Sequence, residues 1–167
     1  MHRIQFRETV EILGVVSIVA SLLLVAWQVR QSNRIAGADI KIQLTQEYNE
    51  LHRIRLTSPD FAKLYPKLAA PQNHLITATE NSQMEALAWH YVNIYSSAQL
   101  AYDNGLLSRE QFEIYIAGAT WLVDAYPGLH SHLINIYGIL PMLQTSEVFQ
   151  PIAELAARQE EESSESQ

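Results

Sequence analysis

An uninterrupted apolar run near the amino end constrains this chain more than any other feature. Ile12 to Val29, "ILGVVSIVASLLLVAWQV", is eighteen residues without an Asp, Glu, Lys or Arg. At about 1.5 Å per helical residue the run is about 27 Å long, close to the roughly 30 Å hydrocarbon thickness of a bilayer. Trp27 stands at its carboxyl end, where an indole suits the headgroup zone, and Arg30 and Arg34 follow as interface cations. A buried helix of a soluble domain would need apolar partners on every side, and no other stretch of the chain is so uniformly apolar. A cleaved export signal would carry a shorter apolar core with a small-x-small site close behind it. The one good match, Ala36-Gly37-Ala38, lies beyond both arginines. The sequence therefore predicts a single-pass membrane anchor over residues 12–29, in contact with lipid, after an amino-terminal tail of residues 1–11.

Positive charge favours the cytoplasmic side of a membrane. Arg3 and Arg7 precede the span, while Arg30, Arg34 and Lys41 follow it within a similar distance. The excess of one places the rest of the chain in the cytoplasm and the amino terminus outside. Within the span, Gly14, Ser17, Ser21 and Gln28 follow one another at spacings of 3, 4 and 7 and so share one helix face. Small residues let a second helix approach closely, and Ser or Gln can hydrogen-bond across the gap. This face offers a docking surface to another transmembrane helix, from a second copy or a different subunit. The alternative is that the serines bond their own backbone, as they often do in such helices.

Charge is unevenly spread. Residues 1–67 hold nine Lys and Arg against six Asp and Glu, a net +3, whereas residues 68–167 hold two against twelve, a net −10. The basic part adjoins the apolar run, where it can meet anionic headgroups. The acidic remainder argues against nucleic-acid binding, which needs clustered Lys and Arg. There is no Cys, which excludes disulfides, thiol nucleophiles and Cys-ligated metals.

Beyond the span the pattern is helical throughout, with no period-2 alternation and no internal repeat. No Pro occurs between Arg30 and Pro59. The anchor is expected to continue as a juxtamembrane stalk helix over 30–56, with Ile40, Leu44, Tyr48, Leu51 and Arg55 as its inward stripe. Ser58, Pro59 and Asp60 read as the capped start of a short helix ending near Pro66, with a loop from Pro71. Thr77-x-x-Glu80 and Ser82-x-x-Glu85 are both capping-box patterns before the longest soluble helix, whose inner stripe is Met84, Leu87, Tyr91, Ile94, Ala98 and Ala101. Asn104-Gly105 supplies its stop, and Ser108-x-x-Gln111 opens the next helix, to about Ala125. Further helices are expected at 128–138 and 146–158. The tail "QEEESSESQ", residues 159–167, carries no apolar residue and reads as disordered. The fold class is all-α: a transmembrane helix, a stalk and a small helical bundle over 57–158.

The bundle is poor in charge. Residues 68–157 contain Arg109 and eight acids, about a tenth of their positions against roughly a quarter in an average soluble protein. They also contain ten aromatic residues. Either part of this surface is covered by a partner subunit or by the lipid interface, or Tyr, Asn, Ser and Gln keep the domain soluble unaided. Trp89, Tyr91, Trp121 and Tyr126 are the candidates for a pocket or partner surface.

Signals for chemistry are weak. His130 and His132 lie two apart, about 200° around a helix, and cannot share a metal there. No Glu-x-x-His di-iron pattern, Gly-x-Ser-x-Gly, phosphate-binding loop or dinucleotide fingerprint occurs. The expectation is a protein that is not an enzyme and carries no metal and no cofactor.

The segment "EILGVVSIVASLLLVAWQVRQSNR", with "SPDFAKLY" and "YDNGLLSREQF", resembles a broad group of small bacterial single-pass membrane proteins of uncharacterised function. Their shared plan is one N-terminal transmembrane helix, an Arg-Gln-x-x-Arg exit (Arg30, Gln31 and Arg34 in this chain) and a compact helical domain. The likeness spans most of residues 9–125 and weakens after Tyr126. It implies a bacterial inner-membrane location and brings no catalytic residues.

Overall fold

The computed structural model describes the backbone of residues 2–70 and 76–165, and the side chains of 11–54, 56–70 and 76–164. The side chains of Arg3, Arg7 and Arg55, the loop at Pro71 and the last residues of the tail therefore lie outside what is described. The chain is all-α. Seven helices and two 3₁₀ turns follow one another, with no strand among the described residues. By internal contacts it divides into two units, residues 1–39 and 40–167.

The first unit is helical from His2 onward, as part of α1 (His2–Thr57). Every described side chain from Glu11 to Ile35 is exposed. Leu22, Leu23 and Trp27 each show more than 60% of their surface. α1 is the one described helix long and apolar enough to cross a membrane.

The second unit is a bundle. It begins at residue 40 rather than at the expected domain boundary of 57, because Leu44 and Leu51 are buried and Ile40 and Tyr48 pack against the core. Residues 40–57 are thus a wall of the domain and not a free-standing stalk. α2 (Pro59–Leu68) starts where Ser58 accepts from the Phe61 amide, with Pro59 as its first residue. It continues past Pro66, where the sequence pointed to a stop. Leu64 and Leu68 are both almost fully buried, and that burial outweighs the single backbone bond a proline removes in a last turn.

α3 (Ala78–Asp103) is the central helix. Of the two possible starts it uses Thr77, whose side chain accepts from the Glu80 amide while Glu80 returns to the Thr77 amide. Its expected stripe is inside, but Ala88, Val92 and Tyr95 are buried as well, so α3 packs on more than one side. The helix ends in a Schellman turn: Gly105 takes φ +69°, and the Leu106 amide reaches back to Ala101 O at 2.8 Å. α4 (Arg109–Ala125) opens on the Ser108–Gln111 capping box. A 3₁₀ turn at Pro127–Leu129 leads into α5 (His130–Ile139), followed by short α6 (Pro141–Gln144), a 3₁₀ turn at Glu147–Phe149 and α7 (Gln150–Glu165). α3 packs on α4 and α5, and α7 packs on the same two helices. The centre is filled by Met84, Tyr95, Phe112, Leu122, Leu133, Phe149 and Ile152. α7 carries seven residues beyond the boundary expected at 158. Gln and Glu are good helix formers, and this exposed last stretch continues a helix already anchored by buried Ile152 and Leu155.

Two ion pairs tie the bundle at its edges. Lys67 of α2 bridges both carboxylate oxygens of Glu80 at 2.7 Å. That ammonium, with the Thr77 amide and hydroxyl, holds the Glu80 carboxyl at about 2, well below the ordinary carboxylate range. Arg109 forms a two-pronged pair with Glu147 at 2.6 and 2.7 Å and also reaches Glu113 at 3.0 Å. Through this contact the Arg109 guanidinium lowers the Glu147 pKa, and Glu147 raises that of Arg109.

Candidate functional site

A cavity of about 80 Å³ lies between α1, α2, α3 and α4. α3 places Tyr91 and Tyr95 one turn apart on one face, which is why both reach it. α4 contributes Gly118 and Trp121, and Tyr126 closes the end of that helix. Tyr48, Leu51 and His52 come from α1, Phe61 and Leu68 from α2. Six aromatic rings therefore line one small space, and no Asp, Glu, Lys or Arg is among the lining residues.

The rings lie in different planes. Tyr91 and Tyr95 stack at 6.2 Å with 20° between them, while Trp121 meets Tyr126 edge-on at 5.2 Å and 76°. Tyr126 is itself edge-on to Tyr65. The hydroxyls of Tyr48 and Tyr95 lie near one another and interact electrostatically. A Cβ built at Gly118 would stand 3.2 Å from the Tyr48 hydroxyl and 3.3 Å from that of Tyr95, so the missing side chain at 118 makes room for the pair. Burial pushes the Tyr95 phenol far above its ordinary range, which keeps it a neutral donor at every accessible pH. Trp121 is the exception in this setting: 53% of its surface is exposed.

Of the four aromatic residues singled out from sequence, Tyr91, Trp121 and Tyr126 come together here. Trp89 does not line the cavity, because two residues along α3 turn a side chain about 200° from Tyr91. Sequence reasoning missed Tyr95, Tyr48, Phe61 and Gly118 as members of the site. Tyr95 had a signal, being i+4 from Tyr91, and Tyr48 lay on the inward stripe of α1. Nothing local marked Phe61 or Gly118, whose roles depend on which helices meet.

A wider groove of about 510 Å³ runs between α1 and α3, floored by Leu44, Ile94 and Ala101 and edged by Glu47, His90 and Asn93. The His90 Nε2 is buried without a hydrogen-bond partner, and the nearest Glu47 oxygen is 3.6 Å away. That separation is beyond hydrogen-bond reach. The remaining histidines of interest are apart in function as well as position. His130 Nε2 meets Val123 O at 2.8 Å and so satisfies a carbonyl in the last turn of α4. His132 is partly buried, which lowers its pKa against a small opposing pull from Glu85. Among the described residues no three His, Asp or Glu side chains gather as metal ligands would.

In the first unit, Gly14, Ser17, Ser21 and Gln28 are exposed and fall within about 60° of one another around α1. Ser17 donates to Leu13 O and Ser21 to Ser17 O, each at 2.8 Å. Their protons are used internally, and what they can offer a second helix is lone pairs. No atom comes within 4 Å of a Cβ built at Gly14. Trp27, Arg30 and Arg34 are all exposed along the same helix. No family model, curated protein or solved structure matches the chain.

Proposed function

We propose that the protein is a membrane-anchored, non-enzymatic helical module, an accessory or scaffold subunit of a larger complex in the bacterial inner membrane. It crosses the membrane once through residues 12–29, with the helical domain on the cytoplasmic side. Its partners are membrane lipid and other transmembrane subunits, or further copies of itself. One observation carries the reading: the side chains of residues 12–29 are exposed on a helix long and apolar enough to cross a membrane, and soluble proteins rarely leave so large an apolar surface bare. The domain adds to it, with Leu100, Ile114, Ile139 and Met142 all more than half exposed within the charge-poor stretch 68–157. Purification from membranes in a mild detergent, followed by mass spectrometry of what co-purifies, tests it. A stoichiometric set of membrane subunits, or a defined homo-oligomer, is the expected result. Recovery of the monomer alone would overturn it.

A second reading is favoured by the aromatic cavity. A membrane-tethered sensor would bind a small molecule between Tyr91, Trp121 and Tyr126. A reproducible thermal shift of the domain with one class of compound is the expected sign.

A further inference from the structure

We propose that the aromatic cavity binds a quaternary ammonium group, the trimethylammonium of a free choline-type solute or of a lipid headgroup. The inference rests on the ligand-binding reading of that cavity and names its ligand class.

Three properties of the cavity select this chemistry. The first is its wall. Tyr48, Phe61, Tyr91, Tyr95, Trp121 and Tyr126 surround it, with ring planes at 20° in one pair and 76° in another. The rings thus lie in more than one plane around the space, and the negative faces of Trp and Tyr attract a cation within about 6 Å. The second is polarity. The polar groups of the lining are tyrosine hydroxyls, the Trp121 indole N–H and the imidazole of His52, with no carboxylate among them. An ordinary ammonium would lose its water there and find no carboxylate to pair with. A trimethylammonium has no N–H to satisfy and presents methyl groups to the rings. An anion would meet no Lys or Arg in the lining.

The third is size. An apolar cavity of about 150 Å³ holds benzene, or roughly 25 Å³ per non-hydrogen atom. On that scale the 80 Å³ found here takes about three such atoms, so a trimethylammonium head, with four, fills it and reaches its open side. Its fourth substituent leaves through the open side, where Trp121 is half exposed. The surroundings favour a cation as well. Residues 40–167, the unit that holds the cavity, carry fifteen Asp and Glu against seven Lys and Arg. That field raises the local concentration of positive solutes.

The test uses the full chain in maltoside micelles, which contain no quaternary ammonium. Choline and its neutral isostere 3,3-dimethylbutan-1-ol are titrated in parallel, with binding followed by ligand-observed NMR. The expected result is a preference for choline of about ten-fold, the size of a partly desolvated cation–π contribution. Trp121→Leu should weaken choline binding by about ten-fold with an unchanged melting temperature, because the indole is half exposed, and Trp121→Phe should retain most of it. Equal or tighter binding of the neutral alcohol would overturn the ammonium assignment while leaving a ligand pocket in place. Binding of neither compound would sink both readings, and so would choline affinity indifferent to Trp121→Leu sink the assignment. A second arm separates the two sources of the group. The protein is reconstituted in phosphatidylcholine or in phosphatidylglycerol vesicles, and free choline is titrated into each. Loss of choline binding only in phosphatidylcholine assigns the site to the headgroup, and equal binding in both assigns it to the free solute.

Discussion

Gly128 shows how tightly two parts of the domain are drawn together. A Cβ built there would lie 2.4 Å from the Lys67 carbonyl oxygen and 3.0 Å from that of Leu68. Both obstacles are backbone at the end of α2, so neither can swing aside. Gly128→Ala must separate the 127–129 turn from α2 and disturb buried Leu129 and Leu68 in doing so. The expected cost is about 3 kcal/mol. For a domain of this size that lowers Tm by roughly 10 °C, measurable by calorimetry or circular dichroism. Beside it, Lys67 holds Glu80, whose folded pKa of about 2 is depressed from an ordinary 4.5. A depressed carboxyl contributes stability above its unfolded pKa and loses it as pH falls through the folded value. Glu80→Gln should therefore be less stable than the parent at pH 7. The gap should close progressively between pH 4.5 and about 2. Urea midpoints measured across that window decide it, and a gap that persists at pH 2 would assign the loss to the capping box alone.

At the scale of elements, the informative case is the distal part of α1. Leu44 is 3% exposed and Leu51 8%, although both belong to the same continuous helix as the bare apolar run. If residues 40–57 are part of the domain, Leu44→Ala must destabilise it, by about 2–3 kcal/mol. The lower end of the large-to-small range applies because Leu44 also faces the open groove beside α3. A free-standing stalk would show no loss in the melting of the bundle. The inward stripe Ile40-Leu44-Tyr48-Leu51 was legible in sequence, and so were the caps at Ser58 and Ser108, because period and capping are local properties. The domain boundary was not legible, since an amphipathic stripe does not say what it packs against. The choice of Thr77 over Ser82 was equally hidden: both motifs are locally sound, and Lys67, thirteen residues before Glu80, reinforces the one used. The extension of α2 through Pro66 depends on the same kind of distant burial, at Leu64 and Leu68. In the candidate site, Tyr91, Trp121 and Tyr126 line one cavity and Trp89 does not, because which face of α3 meets α1 and α4 is not a local property of the sequence.

At the scale of the whole molecule, the open quantity is which way the proposed anchor inserts, and the charge balance that sets it is small. Orientation follows the bias of Lys and Arg near the ends of a span, and carboxylates count little. Arg30, Arg34 and Lys41 stand on one side against Arg3 and Arg7 on the other, an excess of one. That excess is the basis for placing the helical domain in the cytoplasm. A cytoplasm-active reporter fused to the carboxyl terminus should then be active, and a periplasm-active reporter silent. The narrow margin makes a stronger prediction than the orientation itself. Replacing Arg30 and Arg34 together by Gln leaves Lys41 alone against Arg3 and Arg7, so the bias reverses. The reporter pattern should reverse with it, in whole or in a large fraction of molecules. Both arginines are exposed along α1, so their loss leaves the bundle's core untouched and a change in reporter activity measures insertion alone. A periplasm-active reporter on the unaltered chain would overturn the cytoplasmic assignment. An unaltered pattern in the double variant would show that the domain itself, and not the flanking charge, fixes the direction.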